Sequence, residues 1–187
     1  MSSRIAINLR NGDTRFYLEL LSKETSLDGF SCSIAEYNDY LLKDALRSQN
    51  DHIALTWLLR ERTTNAITAY MSLIADAIKL SVTEKELHNL AYPFKTLPAV
   101  KIAKLAVSQP AQEKYKGIGS YMIENAAAFA QICNQQLFAA RFLTVDADIE
   151  HDKGVFAFYE KNGFIPNGEL SNKNRKTISM RKDIYGV

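Results

Sequence analysis

The sequence predicts a mixed α/β fold in which a sheet carries helices on its faces. Three observations predict it. β-branched and aromatic runs dominate the first half, strand and helix patterns alternate through the second, and no linker-like stretch interrupts the 187 residues. The length fits one domain, 1–187, large enough to bury a core without metals or disulfides.

Taken in order, Arg4–Leu9 and Arg15–Leu21 read as strands joined at Asn11-Gly12-Asp13, since Asn-Gly between apolar runs favours a tight hairpin turn. Ile34, Tyr37, Leu41, Leu42, Ala45 and Leu46 recur at helical spacing, which predicts an amphipathic helix over Ile34–Ser48 capped by Ser33. Asp51–Arg60 and Ala66–Ala75 have the composition of paired strands turning at Glu61–Asn65, with Ala77–Val82 as a third strand. Pro93 and Pro98 bracket a loop. Ala99–Val107 (AVKIAKLAV) is then nearly all apolar, the pattern of a strand buried on both faces.

Ile118, Met122, Ala126, Phe129 and Cys133 predict a helix from Gly117 to about Gln135. Phe138–Val145 reads as a strand, Lys153–Lys161 as a short helix stopped by Gly163, and Phe164–Ile165 with Lys176–Arg181 as a closing strand pair.

Several functional classes lose support on composition. The 23 basic and 21 acidic residues nearly cancel, so bulk charge does not argue for nucleic acid, and Arg60, Arg62 and the stretch 172–182 are the only modest basic clusters. No apolar run is long enough for a signal peptide core or a membrane span, which makes the cytoplasm the expected compartment and a membrane partner unexpected. Cys32 and Cys133, and His52, His88 and His151, are scattered without metal-ligand spacing, so no metal site is expected. Neither cysteine has a visible histidine partner, which argues against a covalent cysteine route.

Chemistry concentrates where the buried strand runs through SQPAQEKYKGIG into the long helix. A helix start presents unpaired backbone N–H groups and the positive end of the dipole, so it favours an anion. Gly117 and Gly119 lack Cβ atoms and allow a pyrophosphate close to the backbone, while Lys114 and Lys116 add charge. Taken alone, the glycine pair fits an ordinary loop as well. The loop lacks the Gly-Lys-Ser/Thr ending of a Walker A motif, and Met122 stands where a dinucleotide fingerprint needs its third glycine.

Two longer segments resemble the GNAT superfamily of N-acetyltransferases. Residues 97–125, LPAVKIAKLAVSQPAQEKYKGIGSYMIEN, are similar to its acetyl-CoA-binding motif, a strand followed by Q/R-x-x-G-x-G/A and a helix. Residues 138–165 are similar to its next motif, a strand (ARFLTVDA), a spacer and FYEKNGF. The resemblance implies that the backbone N–H groups of Lys114, Tyr115, Lys116, Gly117, Ile118, Gly119 and Ser120 hold the CoA pyrophosphate. It also implies a mixed, mostly antiparallel twisted sheet with helices on both faces and splayed central strands, where Leu105, Ala106 and Val107 pair with the pantetheine arm and leave an amide to polarise the thioester carbonyl. Tyr159 matches the family tyrosine that protonates the departing thiolate as general acid, a proton that a phenol with a pKa of about 10 still carries at neutral pH. Two departures stand out: Lys114 replaces the usual Arg or Gln, and Asp152 replaces the Asn that touches the CoA arm.

The family picture is direct transfer of acetyl from acetyl-CoA to an amine. Glu84, Glu86, Asp146 and Glu150 are the candidate bases, each otherwise an ordinary surface charge. A homodimer is a family-level expectation. FSCSIAEYNDYLLKDALRSQ at 30–49, followed by HIALTWLLRE and AITAYMSLIA, resembles more narrowly the opening of GNAT toxins of toxin–antitoxin pairs. Those acetylate the amino group of aminoacyl-tRNA, and under that reading tRNA and an antitoxin are partners. A catalytically silent CoA-binding or interaction domain is the alternative from another class.

Overall fold

The computed structural model describes residues 14–168 and 176–186. The expected strand Arg4–Leu9 and its Asn11-Gly12-Asp13 turn lie outside them, as do residues 172–175 of the basic stretch. Seven strands follow the order β1-β2-β3-β4-β5-β7-β6, with β1 Phe16–Leu20, β2 Leu55–Glu61, β3 Ile67–Lys79, β4 Thr96–Val107, β5 Phe142–Asp148, β6 Ile165–Pro166 and β7 Thr177–Asp183. The pairs β1/β2, β2/β3, β5/β7 and β6/β7 are antiparallel, and β4/β5 is parallel. By its contacts the chain divides into two units, Met1–Ile74 with Ala103–Asn125, and Ala75–Ile102 with Ala126–Val187.

In the first unit, β1 pairs with β2 from Phe16↔Glu61 to Leu20↔Trp57, and a bulge shifts the β2/β3 register between Leu59 and Arg60. Leu21, Phe30, Leu41, Leu58, Tyr70 and Ala106 form its core. Tyr70, Met71 and Ser72 are fully buried, so the aromatic run in β3 serves packing. The helix expected over Ile34–Ser48 is not regular. It comprises α1 (Ala35–Asp39), a π-helical turn (Tyr40–Asp44) and α2 (Ala45–Asn50). The Tyr70 hydroxyl donates to the Tyr37 carbonyl at 2.8 Å just before the wide turn, giving that carbonyl a partner from outside the helix. Ser33 does not cap. Ile34 holds the cap position, and Asn38 reaches back instead, accepting from the Cys32 N–H at 2.8 Å and donating to its carbonyl at 3.0 Å.

In the second unit, the separate strand expected at Ala77–Val82 is absent. β3 runs unbroken to Lys79, and α3 (Val82–Leu87) begins under a capping box in which Ser81 and Glu84 exchange hydrogen bonds. Pro98, expected to bound a loop, lies inside β4, and its carbonyl accepts the Arg141 N–H. β5 starts at Phe142 instead of Phe138, because the Asn134 side chain binds both the N–H and the carbonyl of Ala140 and holds the preceding residues in a turn. The β4/β5 register runs from Ala99↔Phe142 to Ile102↔Val145 and stops there, although β4 continues to Val107 and β5 to Asp148.

Candidate functional site

The strand–loop–helix segment lies in the first unit, and more of it is helical than the sequence predicts. After Val107 the chain is anchored twice, by the Ser108 N–H on the Thr68 carbonyl (2.8 Å) and the Gln109 N–H on the Ser31 carbonyl (2.9 Å). Ser108 then caps a short helix, α4 (Gln109–Lys114), with Pro110 in its first turn where a missing N–H costs nothing. Tyr115 is extended, Gly117 turns at φ +87°, and the long helix α5 (Ile118–Gln136) starts immediately afterwards.

Gly117 occupies the cap position: its carbonyl accepts the Tyr121 N–H at 2.9 Å. The N–H groups of Ile118, Gly119 and Ser120 form the first turn, whose amides have no intrahelical acceptor. A Cβ built on Gly117 would meet nothing within 4 Å. Glycine is therefore required there by its left-handed backbone, not by crowding, and the space beside it is open.

The loop cations are not equivalent. Lys114 Nζ lies 2.7 Å from Glu61 Oε1, which also accepts from the Tyr115 hydroxyl, while Thr64 donates to Oε2 at 2.7 Å. Bonds from Lys114, Tyr115 and Thr64 hold the Glu61 carboxyl down to about 2, and Glu61 in turn raises the Lys114 ammonium above its ordinary value. Lys114 is thus ion-paired with Glu61, its side chain still largely exposed. Lys116 is exposed and has no ion pair among the described residues. Upstream on β4, Ala106 is buried in the core, and Leu105 and Val107 are half-buried on the alternate positions.

The second unit holds Tyr159, on α6 (Val155–Lys161). It is 7% exposed, and its ring meets Phe158 at 5.1 Å and Phe164 at 5.2 Å, both edge-on. A Schellman ending fixes this helix: Phe164 N–H binds the Tyr159 carbonyl, Gly163 N–H binds the Glu160 carbonyl, and Gly163 sits at φ +81° as the sequence predicts. Asp152 is exposed and shapes the entry to α6. Its Oδ1 accepts the Gly154 N–H at 2.8 Å and its carbonyl accepts the Val155 N–H at 3.2 Å.

Most candidate bases carry structural partners. Glu84 pairs with the fully buried Arg181 at 2.9 Å, Asp146 pairs with Lys101, and Glu150 pairs with Lys176 at 2.9 Å. Burial pushes the Glu84 carboxyl up, but the Ser81 hydrogen bonds and the Arg181 charge outweigh it and leave it below its ordinary range. A carboxylate held ionised in this way is a weak proton acceptor. Glu86 is exposed on α3.

Arg60, counted in the sequence as part of a basic cluster, is buried. It bonds Glu19 at 2.5 Å and the carbonyls of Asn65 and Ser26, so it adds nothing to a basic face. Arg15 and Phe16, at the start of β1, border the loop together with Tyr121 and Glu124 of α5, and no sequence spacing links the first strand to a loop a hundred positions on. Among the described residues no group of His, Cys, Asp or Glu is arranged to hold a metal, and no helix is long and apolar enough to cross a membrane.

No family model matches the chain, and no curated protein matches it. Solved structures do. AtaT complexed with acetyl-methionyl-tRNAfMet superposes with a TM-score of 0.71 at 20% identity, covering 88% of this chain and 93% of that one. A tyrosine-to-phenylalanine mutant of KacT gives 0.70 at 19% identity, covering 88% and 94%. A structure described as a bacterial toxin gives 0.74 at 14% identity, covering 90% of each chain. The strand order and these superpositions agree on the architecture: the chain has the fold of these structures, a GNAT-like mixed, mostly antiparallel sheet.

Proposed function

We propose that the protein is an acetyl-CoA-dependent N-acetyltransferase of the toxin type, whose acceptor is the amino group of an aminoacyl-tRNA. The observation that carries this reading is the likeness, over most of the chain, to AtaT complexed with acetyl-methionyl-tRNAfMet and to AtaTR bound with AcCoA. The donor loop supports it independently. Three first-turn amides, a glycine with open space beside it and an exposed lysine suit the pyrophosphate of CoA.

When bound, acetyl-CoA supplies the activated acetyl thioester. The chain's own residues then divide the work. Lys114 to Ser120 contribute backbone N–H groups to the pyrophosphate, with Lys116 adding charge. Leu105, Ala106 and Val107 offer a strand edge to the arm. Tyr159 holds a proton on its hydroxyl and is assigned to deliver it to the leaving sulfur. Asp152 orders the start of α6 by accepting the Gly154 N–H, and its exposed carboxylate is assigned to the donor arm. An antitoxin partner belongs to the same reading, since a mutant of AtaT has been solved bound to the C-terminus of the antitoxin AtaR.

The test is to offer the purified protein labelled acetyl-CoA with a mixture of charged tRNA, free amino acids and polyamines. Label should appear in the charged tRNA and be released when the aminoacyl ester is hydrolysed. Label in a small amine would leave acetyl transfer standing and remove the tRNA acceptor. CoA binding without turnover on any acceptor would point to the silent binding domain.

A further inference from the structure

We infer that Lys104 is an acceptor-side phosphate-binding residue, its ammonium held in place for a phosphodiester of the RNA that carries the amine. The inference rests on the acceptor reading above.

Lys104 lies on β4 immediately before Leu105, Ala106 and Val107, the edge assigned to the donor arm. Alternation along the strand puts it on the face of Ala106, which shares a core cluster with Leu41 of the π-helical turn and Tyr70 of β3. Its Nζ lies 4.5 Å from the ring centre of Tyr37 and 5.9 Å from that of Tyr40. A third tyrosine sets these two in place. Tyr40 stacks on the fully buried Tyr70 at 6.3 Å, and the Tyr70 hydroxyl donates to the Tyr37 carbonyl at 2.8 Å. Tyr40 also opens the π-helical turn, a rare backbone form that recurs at functional sites.

Two ring faces restrict a lysine that would otherwise sample many rotamers, so less entropy is lost when it meets an anion. Lys104 is half-buried, and among the described residues no carboxylate pairs with it and no acceptor takes its N–H groups, whereas Lys101 on the same strand is paired with Asp146. Ring faces offset part of the desolvation of an ammonium but leave its three donors unused. An anion completes the site. The donor's own phosphates are assigned to residues 114–120, and the arm assigned to 105–107 is uncharged, so an anion beside residue 104 comes from the acceptor. In an aminoacyl-tRNA the nearest one is the phosphodiester of the terminal nucleotide that bears the aminoacyl ester. A polyamine brings no phosphate, and its charge would be repelled.

The experiment measures binding of the full chain to charged tRNA across a salt series, and to acetyl-CoA, for the unmodified protein, Lys104→Met and Lys104→Arg, each with a thermal melt. Lys104→Met keeps a stem against the rings and removes the charge. It should weaken tRNA binding by about 10-fold and lower the slope of log Kd against log salt by about one, with acetyl-CoA affinity unchanged. Lys104→Arg keeps a cation over the rings and should retain the full slope. A Lys104→Met protein with unchanged tRNA Kd and slope overturns the inference, as does an equal loss of acetyl-CoA affinity. If the methionine variant folds poorly, a well-folded Lys104→Arg with the lowered slope overturns it instead. An unmodified protein that binds acetyl-CoA and no charged tRNA overturns the acceptor reading, and the inference with it.

Discussion

The donor loop and the tyrosine helix are built by opposite means. Around Gly117 the working atoms are backbone amides, and the most prominent side chain, Lys114, is tied to Glu61. Around Tyr159 the backbone only fixes a short helix, and the assigned chemistry rests on one hydroxyl at the edge of an aromatic cluster. The difference teaches where substitution should matter. The loop should tolerate side-chain changes that keep its backbone path, whereas the helix should tolerate nothing at one atom.

The sharpest way to break this contrast is Tyr159→Phe. The ring contacts with Phe158 and Phe164 survive, so the melting temperature and the Kd for acetyl-CoA should hold while single-turnover acetyl transfer falls by about 100-fold or more. Transfer at an unchanged rate would remove Tyr159 from its assigned role. Next in size is Gly117→Ala. With φ at +87° an alanine is strained by about 1–2 kcal/mol whatever the space around it, which urea unfolding should register alongside weaker donor binding.

These two sites differ as well in how far the sequence exposes them. Gly117 and the helix after it are legible because their signals are local: an apolar strand, a glycine and a 3.6-residue period. Gly163 is legible for the same reason. Ser81-x-x-Glu84 is an equally local capping signal, hidden in the sequence by the strand-like run before it, and it ties Glu84 to the start of α3. Other features depend on partners far along the chain. The π-helical turn borders a carbonyl bound by a hydroxyl 33 residues away, and Arg60 is buried because Glu19, 41 residues earlier, neutralises it. No window of sequence contains either pair.

Acid titration probes the loop more gently. The Glu61 carboxyl is held at about 2 in the fold against an ordinary 4.5, so between these values the unfolded chain binds more protons. Its contribution is therefore fully present above about 4.5 and is lost as pH falls towards 2. Urea midpoints measured across that window should drop less steeply for Glu61→Gln than for the unmodified protein. The smallest effect is expected from Lys114→Met. With the ammonium already paired to Glu61, acetyl-CoA affinity should change by less than about threefold; a large loss would show that Lys114 reaches the donor after all.

The central claim is acetyl transfer to the amine of an aminoacyl-tRNA, and mass spectrometry of the aminoacyl-adenosine released from the tRNA after incubation with acetyl-CoA tests it most directly. The predicted result is an aminoacyl group carrying one acetyl on its α-nitrogen, formed by the unmodified protein and not by Tyr159→Phe. An unmodified aminoacyl group, recovered while CoA is released and a small amine is acetylated, would contradict it.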